Sequence, residues 1–177
     1  MKKARIATLW LDGCSGCHMS LLDLDERLLE LADRMELVYS PLVDAAEFPE
    51  DVDVTLVEGA IASDEDEKKI TLARARTRLL IALGDCAVTG NVPAMRNNIP
   101  LGVLLGRSYI DLATANPGVP ESEVPRLNPH VIPLHELVPV DIFVPGCPPS
   151  PALIDSLLSE VLAGRTPDIA TLCHFGN

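Results

Sequence analysis

Aromatic side chains are scarce in this sequence, and acidic side chains far outnumber basic ones. Only 3% of the 177 residues are aromatic, so the core has to be built from Leu, Val, Ile and Ala, as in a buried parallel sheet with helices. The 14 Lys and Arg residues against 26 Asp and Glu residues give a net charge of −12, which repels phosphate backbones and anionic lipid head groups. Nucleic acid is therefore not expected as a partner.

Long apolar runs are also missing. No segment approaches the roughly 20 apolar residues of a membrane-spanning helix, so we expect no membrane insertion. The opening MKKARIATLWLDG carries Arg5 inside a short apolar run and has no small-residue cleavage site, and it therefore predicts a first strand instead of a signal peptide. These features, with the chain length, predict one cytoplasmic domain over residues 1–177.

Five apolar runs alternate with stretches of helical spacing. The runs cover residues 5–11, 36–43, 52–60, 78–84 and 138–145. Helices are predicted over 19–32, from Ser63 through SDEDEKKITLARARTR, and over 148–162. Strands alternating with helices indicate right-handed crossovers, so we predict an α/β fold with a flavodoxin-like open parallel sheet and helices on both faces.

Residues 91–133 differ from the rest because they hold seven prolines. We predict little regular structure there beyond a short helix near 108–115. A long loop in a compact domain is usually functional, so this segment is expected to face a partner.

Four of the five cysteines follow predicted strands. Cys14 and Cys17 lie in LWLDGCSGCHMSLL after the first run, Cys86 lies in ALGDCAVTG after the fourth, and Cys147 lies in VPGCPPS after the fifth. The carboxyl ends of strands in an open α/β sheet form its ligand-binding edge, so the four thiols are expected to converge. In a cytoplasmic chain this set favours a metal site over a disulfide framework.

Zinc and a [4Fe–4S] cluster both accept four cysteine ligands. Structural zinc sites tend to combine two compact C-x-x-C pairs, whereas here the pair Cys14 and Cys17 is joined by two single cysteines from distant loops. Glycine or proline flanks nearly every one of them, which lets backbone N–H groups approach the sulfurs. The pattern favours the wider cluster, and zinc is the alternative.

Four ordered stretches make the chain resemble the small subunits of [NiFe] hydrogenases: LWLDGCSGCHMSLL, LVEGAI, ALGDCAVTG and VPGCPPSP. The resemblance implies that Cys14, Cys17, Cys86 and Cys147 bind the proximal [4Fe–4S] cluster. It further implies that the Ni–Fe centre, which splits H2, belongs to a separate large subunit. The chain would then relay electrons and would not itself break the H–H bond.

Differences from the family pattern narrow the expected number of clusters and the expected type of hydrogenase. Only Cys173 follows Cys147, and no twin-arginine leader or cysteine-rich C-terminal region is present, so we expect a single cluster. Such a chain resembles the small subunits of cytoplasmic NAD-reducing hydrogenases, whose electrons pass to diaphorase subunits with further iron–sulfur clusters and FMN that reduce NAD(P)+. No phosphate-cradling loop supports an FMN on this chain itself.

Two alternative functions remain. One is a non-redox scaffold that zinc stabilises and that binds a partner through residues 91–133, and the other is a quinone-linked subunit similar to one of respiratory complex I. That relative has adjacent cysteines in its first motif, whereas Ser15 and Gly16 separate the two cysteines here. The spacing argues against quinone chemistry.

Several single residues have competing interpretations. The resemblance implies that Glu58 is a proton-path residue or a residue around the cluster, near the subunit interface. The alternative is a solvated carboxylate or a cap for the following turn. His18 is interpreted as a surface or helix-capping residue, and the alternative is a neighbour of the cluster that adjusts its potential. Trp10 is interpreted as core packing and Cys173 as an inert or surface thiol. His174 has no accompanying cysteines, so we do not expect it to bind a further cluster.

Overall fold

The computed structural model describes residues 3–173, which form seven strands. They are β1 (Ala4–Trp10), β2 (Met35–Tyr39), β3 (Val52–Glu58), β4 (Ile61–Ser63), β5 (Thr77–Leu83), β6 (Leu127–Ile132) and β7 (Ile142–Val144). Five of them form one sheet in the order β2-β1-β3-β5-β7, and every neighbouring pair in it is parallel. This is the flavodoxin-like strand order, so the predicted fold class is confirmed.

Helices cover both faces of this sheet. The α-helices of the described residues are α1 (Gly16–Leu22), α2 (Arg27–Ala32), α3 (Asp64–Arg76), α4 (Asp85–Thr89), α5 (Asn91–Ala94), α6 (Leu101–Gly106), α7 (Pro151–Leu162) and α8 (Ile169–Leu172). Successive residues of β1 point to opposite faces: Ile6 belongs to the buried cluster that contains Ile154 of α7, and Ala7 to the one that contains Ile70 of α3. None of the helices in residues 3–173 is long and apolar enough to cross a membrane.

The prediction of one continuous helix over 19–32 is wrong. The chain forms α1 and α2 with a turn between them, where Asp25 has a φ of 47°. Asp side chains favour turns because they compete for backbone hydrogen bonds, and two of them stand at 23 and 25. The helical spacing of the leucines continues across this turn, which is why it predicted one helix.

Three predicted strands are shorter than their apolar runs. The run 36–43 is extended only as far as Tyr39. The run 52–60 ends as a strand at Glu58, because Gly59 has a φ of 94° and a Cβ there would lie 2.8 Å from the carbonyl carbon of Leu11. The run 138–145 is extended only over Ile142–Val144. The predicted helices that begin at Ser63 and near residue 148 are confirmed as α3 and α7, with Ser63 and Ser150 as their N-caps.

Residues 91–133, which we call the arm, contain more regular structure than predicted. β6 pairs antiparallel with β4, and α6 continues into a π-helical turn over Arg107–Asp111. The amide of Asn97 donates to the carbonyl of Val131 and accepts from its N–H, both at 2.8 Å. Arg96 donates to the carbonyls of Ala62 and Asn128. These contacts therefore fix the arm to β4.

Candidate metal centre

Three loops at one edge of the sheet carry the four cysteines. Cys14 follows β1 and Cys17 lies in the first turn of α1, while Cys86 lies in α4 after β5 and Cys147 follows β7. Because β1, β5 and β7 are parallel members of one sheet, their carboxyl ends lie on the same edge. The structure thus brings the four predicted thiols to one edge.

The thiols also lie close enough to influence one another. Burial raises the pKa of Cys17, and negative charge on Glu58 and on the other three thiols raises it further. Burial likewise raises the pKa of Cys86, followed by the charges of Cys147 and Cys14. Cys17 is buried, whereas Cys14 and Cys147 are exposed. The group therefore extends from the core to the surface.

Glycines leave room around the sulfur atoms. A Cβ at Gly84, whose φ is 86°, would lie less than 3.0 Å from the Sγ of Cys17, and one at Gly16 would lie 3.2 Å from the Sγ of Cys14. The backbone therefore approaches the thiols more closely than a substituted residue allows. Four thiols with close backbone are the donor set that an iron–sulfur cluster uses, so the residues fit such a group.

Two nitrogen donors from α5 reach the sulfurs. The backbone N–H of Val92 bonds Cys86 and lowers the pKa of this thiol against the effect of burial. The side-chain amide of Asn91 donates to the Sγ of Cys147 over 3.5 Å. Neither donor was predicted, and the only signal in the sequence is the Gly90–Asn91 pair, which is typical of left-handed turns.

Glu58 and His18 form a buried pair beside this site. Glu58 is 2% exposed and His18 5% exposed, so the solvated carboxylate and the surface histidine are both wrong. The Oε2 atom of Glu58 accepts from the backbone N–H of His18 at 2.9 Å and lies 2.5 Å from its Nδ1. The Nε2 atom of His18 lies 3.0 Å from the hydroxyl of Thr8, which donates to Ser40. Glu58 thus binds the first turn of α1, directly after Cys17.

The remaining predicted residues have other environments. Trp10 is 45% exposed and its indole N–H donates to the carbonyl of Gly13, so the core interpretation is wrong. Cys173 is half-buried and packs against a core cluster, and burial followed by the charge of Asp85 raises its pKa, as expected for an unreactive thiol. His174 lies outside the described residues.

Within residues 3–173, no three Cys, His, Asp or Glu side chains form a group that could hold a single metal ion.

A comparison with family models assigns the chain to a class of oxidoreductase subunits. A family model described as "NADH ubiquinone oxidoreductase, 20 Kd subunit" matches residues 14–161. The chain belongs to this family.

The particular relatives are hydrogenase subunits. The delta subunit of the NAD-reducing hydrogenase HoxS of Cupriavidus necator is 41% identical over 172 residues, which cover 94% of this chain and 82% of that subunit. A subunit of the F420-non-reducing hydrogenase vhu of Methanocaldococcus jannaschii is 40% identical over 169 residues. This second match covers 94% of this chain but only 59% of the longer archaeal relative. The predicted resemblance to the small subunits of [NiFe] hydrogenases is confirmed.

Solved structures agree with these relatives. The crystal structure of a NAD+-reducing [NiFe]-hydrogenase in the H2-reduced state contains a chain with a TM-score of 0.90 and 40% identity, and the match covers 99% of this chain and 96% of that one. A [NiFeSe]-hydrogenase of Dm. baculatum, with a TM-score of 0.58 and 20% identity over 93% of this chain and 62% of its own, shares the fold. The assignment of the four cysteines as ligands stays a prediction.

Proposed function

We propose that this chain is the electron-transfer small subunit of a NAD(P)-reducing [NiFe] hydrogenase. The observation that carries the proposal is the convergence of four thiols at the carboxyl edge of the parallel sheet. It is supported by the match of 99% of this chain to a chain of a NAD+-reducing [NiFe]-hydrogenase. H2 is split at a Ni–Fe centre on a large subunit, and this chain conducts the electrons away from it.

In this proposal Cys14, Cys17, Cys86 and Cys147 hold one [4Fe–4S] cluster, which when bound supplies a one-electron carrier. The chain contributes the thiolates and also the surroundings that determine their charge. Burial of Cys17 and donors such as the Val92 N–H act in opposite directions on the charged state of the sulfurs. The balance between them is how this chain adjusts the reduction potential.

The surface beside the thiols supports a large subunit as the partner. Val92, Met95 and Ile99 of the arm are 60%, 70% and 46% exposed and follow Cys86 by 6 to 13 positions. Exposed apolar patches mark protein interaction surfaces. We infer that the large subunit covers this part of the arm together with the exposed Cys14 and Cys147.

The further partners follow from the same proposal. Diaphorase subunits with iron–sulfur clusters and FMN receive the electrons and reduce NAD(P)+. Because NAD(P)+ is a cytoplasmic substrate, we place the complex in the cytoplasm.

Glu58 is assigned a positioning role. Its carboxylate binds the backbone N–H and the ring of His18, so it fixes the first turn of α1 and, with it, Cys17. The proton-path role implied by the family stays a prediction.

The test is the metal content of the complex, purified anaerobically after co-expression with a large subunit and diaphorase subunits. For each copy of this chain, we expect about four irons and four sulfides in addition to those that the other subunits hold. Cys86→Ser should remove that iron, together with an EPR signal of the reduced state and H2-dependent NAD+ reduction. Cys173→Ser, the matched control, should leave all three unchanged.

Two outcomes would replace the proposal. One zinc and no sulfide assignable to this chain would make the site structural and the chain a non-redox scaffold. Iron and sulfide with H2-dependent reduction of a quinone, and none of NAD(P)+, would favour the quinone-linked alternative.

A further inference from the structure

We propose that Asn91 raises the reduction potential of the cluster by donating an N–H···S hydrogen bond to Cys147. The inference rests on the proposed function, in which Cys147 is a cluster ligand. It concerns a residue of the arm that none of the sequence motifs includes.

The contact joins two loops that are far apart in sequence. The Nδ2 atom of Asn91 lies 3.5 Å from the Sγ of Cys147, across 56 positions of the chain. Asn91 follows the α4 segment of Cys86, whereas Cys147 follows β7. The side-chain amide is therefore a donor that reaches from one cysteine loop to the thiol of another.

The local backbone explains why Asn91 can reach this thiol. Gly90 has a φ of 83° and Asn91 a φ of 32°, so two successive residues have positive φ where α4 ends and α5 begins. Asn is among the few residues with a side chain that adopt this region readily. The turn aims the Val92 N–H at Cys86 and the Asn91 amide at Cys147.

The direction of the effect follows from charge. Negative charge on the sulfurs grows when an iron–sulfur cluster takes up an electron, and a hydrogen bond to a ligand sulfur stabilises that charge. Removing the donor therefore disfavours the reduced state and lowers the potential. Val92 donates through its backbone, which side-chain substitution leaves in place, so the contribution of Asn91 can be measured separately.

The experiment is an EPR-monitored redox titration of the complete complex carrying Asn91→Gly or Asn91→Asp. Glycine removes the amide while accepting the positive φ without strain. We expect the ratio of reduced to oxidised cluster at a fixed ambient potential to fall about tenfold in the glycine variant, which is about 59 mV for a one-electron couple. Asn91→Asp keeps the shape, removes the donor and adds negative charge, so its shift should be larger in the same direction.

The control is Asn116→Gly, which changes another asparagine of the arm with positive φ, 49°, and an exposed side chain. It should leave the potential unchanged. EPR reads only the loaded clusters, so partial loss of iron in a variant does not affect the result.

Two results would overturn the inference. The first is a wild-type potential in both Asn91 variants, and the second is an equal shift in Asn116→Gly. In either case a normal wild-type signal leaves the proposed function intact. A wild-type complex with no cluster signal from this chain would instead remove the proposed function and this inference with it.

Discussion

The carboxylate of Asp85 accepts a hydrogen bond from the backbone N–H of Gly146 at 2.7 Å, and the backbone N–H of Asp85 donates to the carbonyl of Gly146 at 2.8 Å. Each residue directly precedes a cysteine, Cys86 in one loop and Cys147 in the other. The reciprocal contact extends the pairing of β5 with β7 beyond the last strand residue. It therefore fixes the relative position of two of the four thiols.

Replacing Asp85 should loosen this contact. Asp85→Ala removes the acceptor and leaves the Gly146 N–H without it, and a hydrogen bond to a charged group contributes about 2 kcal/mol. We expect a loss of that order in the free energy of unfolding, measured by urea denaturation, together with a lower iron content of the purified complex. Asp85→Asn, which keeps an acceptor oxygen, should lose less of both. Wild-type iron content and stability in the alanine variant would contradict the assigned role.

Substitution of Gly84 should displace Cys17 through a steric clash. Gly84→Ala places a methyl group less than 3.0 Å from the Sγ of Cys17 at a φ of 86°, and a side chain in such a conformation costs about 1–3 kcal/mol before any clash. We expect the variant complex to lose most of the iron assigned to this chain, measured by iron and sulfide analysis.

Gly102→Ala is the matched control. Gly102 lies in α6, and a Cβ there meets nothing within 4 Å, so the change should leave iron unchanged and stabilise α6 by up to about 1 kcal/mol. If Gly84→Ala retained its full iron content, the space beside Cys17 would have no part in the site.

The central sheet and its cysteine edge were predictable because they depend on local signals. β5, for example, contains the uninterrupted apolar run 79–83, as expected for a strand buried on both faces. Ser63 with Asp66 forms a capping box that is visible in the sequence. The parallel arrangement then places the cysteines on one edge without any knowledge of their contacts.

The arm and the buried pair were missed because long-range contacts decide them. β6 contains Asn128, Pro129 and His130 and lacks the alternation of a strand, so its pairing with β4 depends on donors such as Arg96, which is 32 positions from Asn128. In the same way, Glu58 and His18 look like surface residues until a contact across 40 positions buries them together.

The pairing of Glu58 with His18 yields the last prediction. Glu58→Ala leaves two buried donors at the start of α1 without their acceptor, and each such loss costs about 1–3 kcal/mol. We expect the free energy of unfolding to fall by about 3 kcal/mol and Cys17 to lose its fixed position, so the iron assigned to this chain should fall as well. Glu58→Gln keeps the shape and one acceptor oxygen, so it should retain the iron and most H2-dependent NAD+ reduction. Glu36→Ala, which changes an exposed carboxylate on β2, should affect neither property. If Glu58→Gln kept its iron and reduction potential but lost H2-dependent activity, the residue would conduct protons and would not merely position α1.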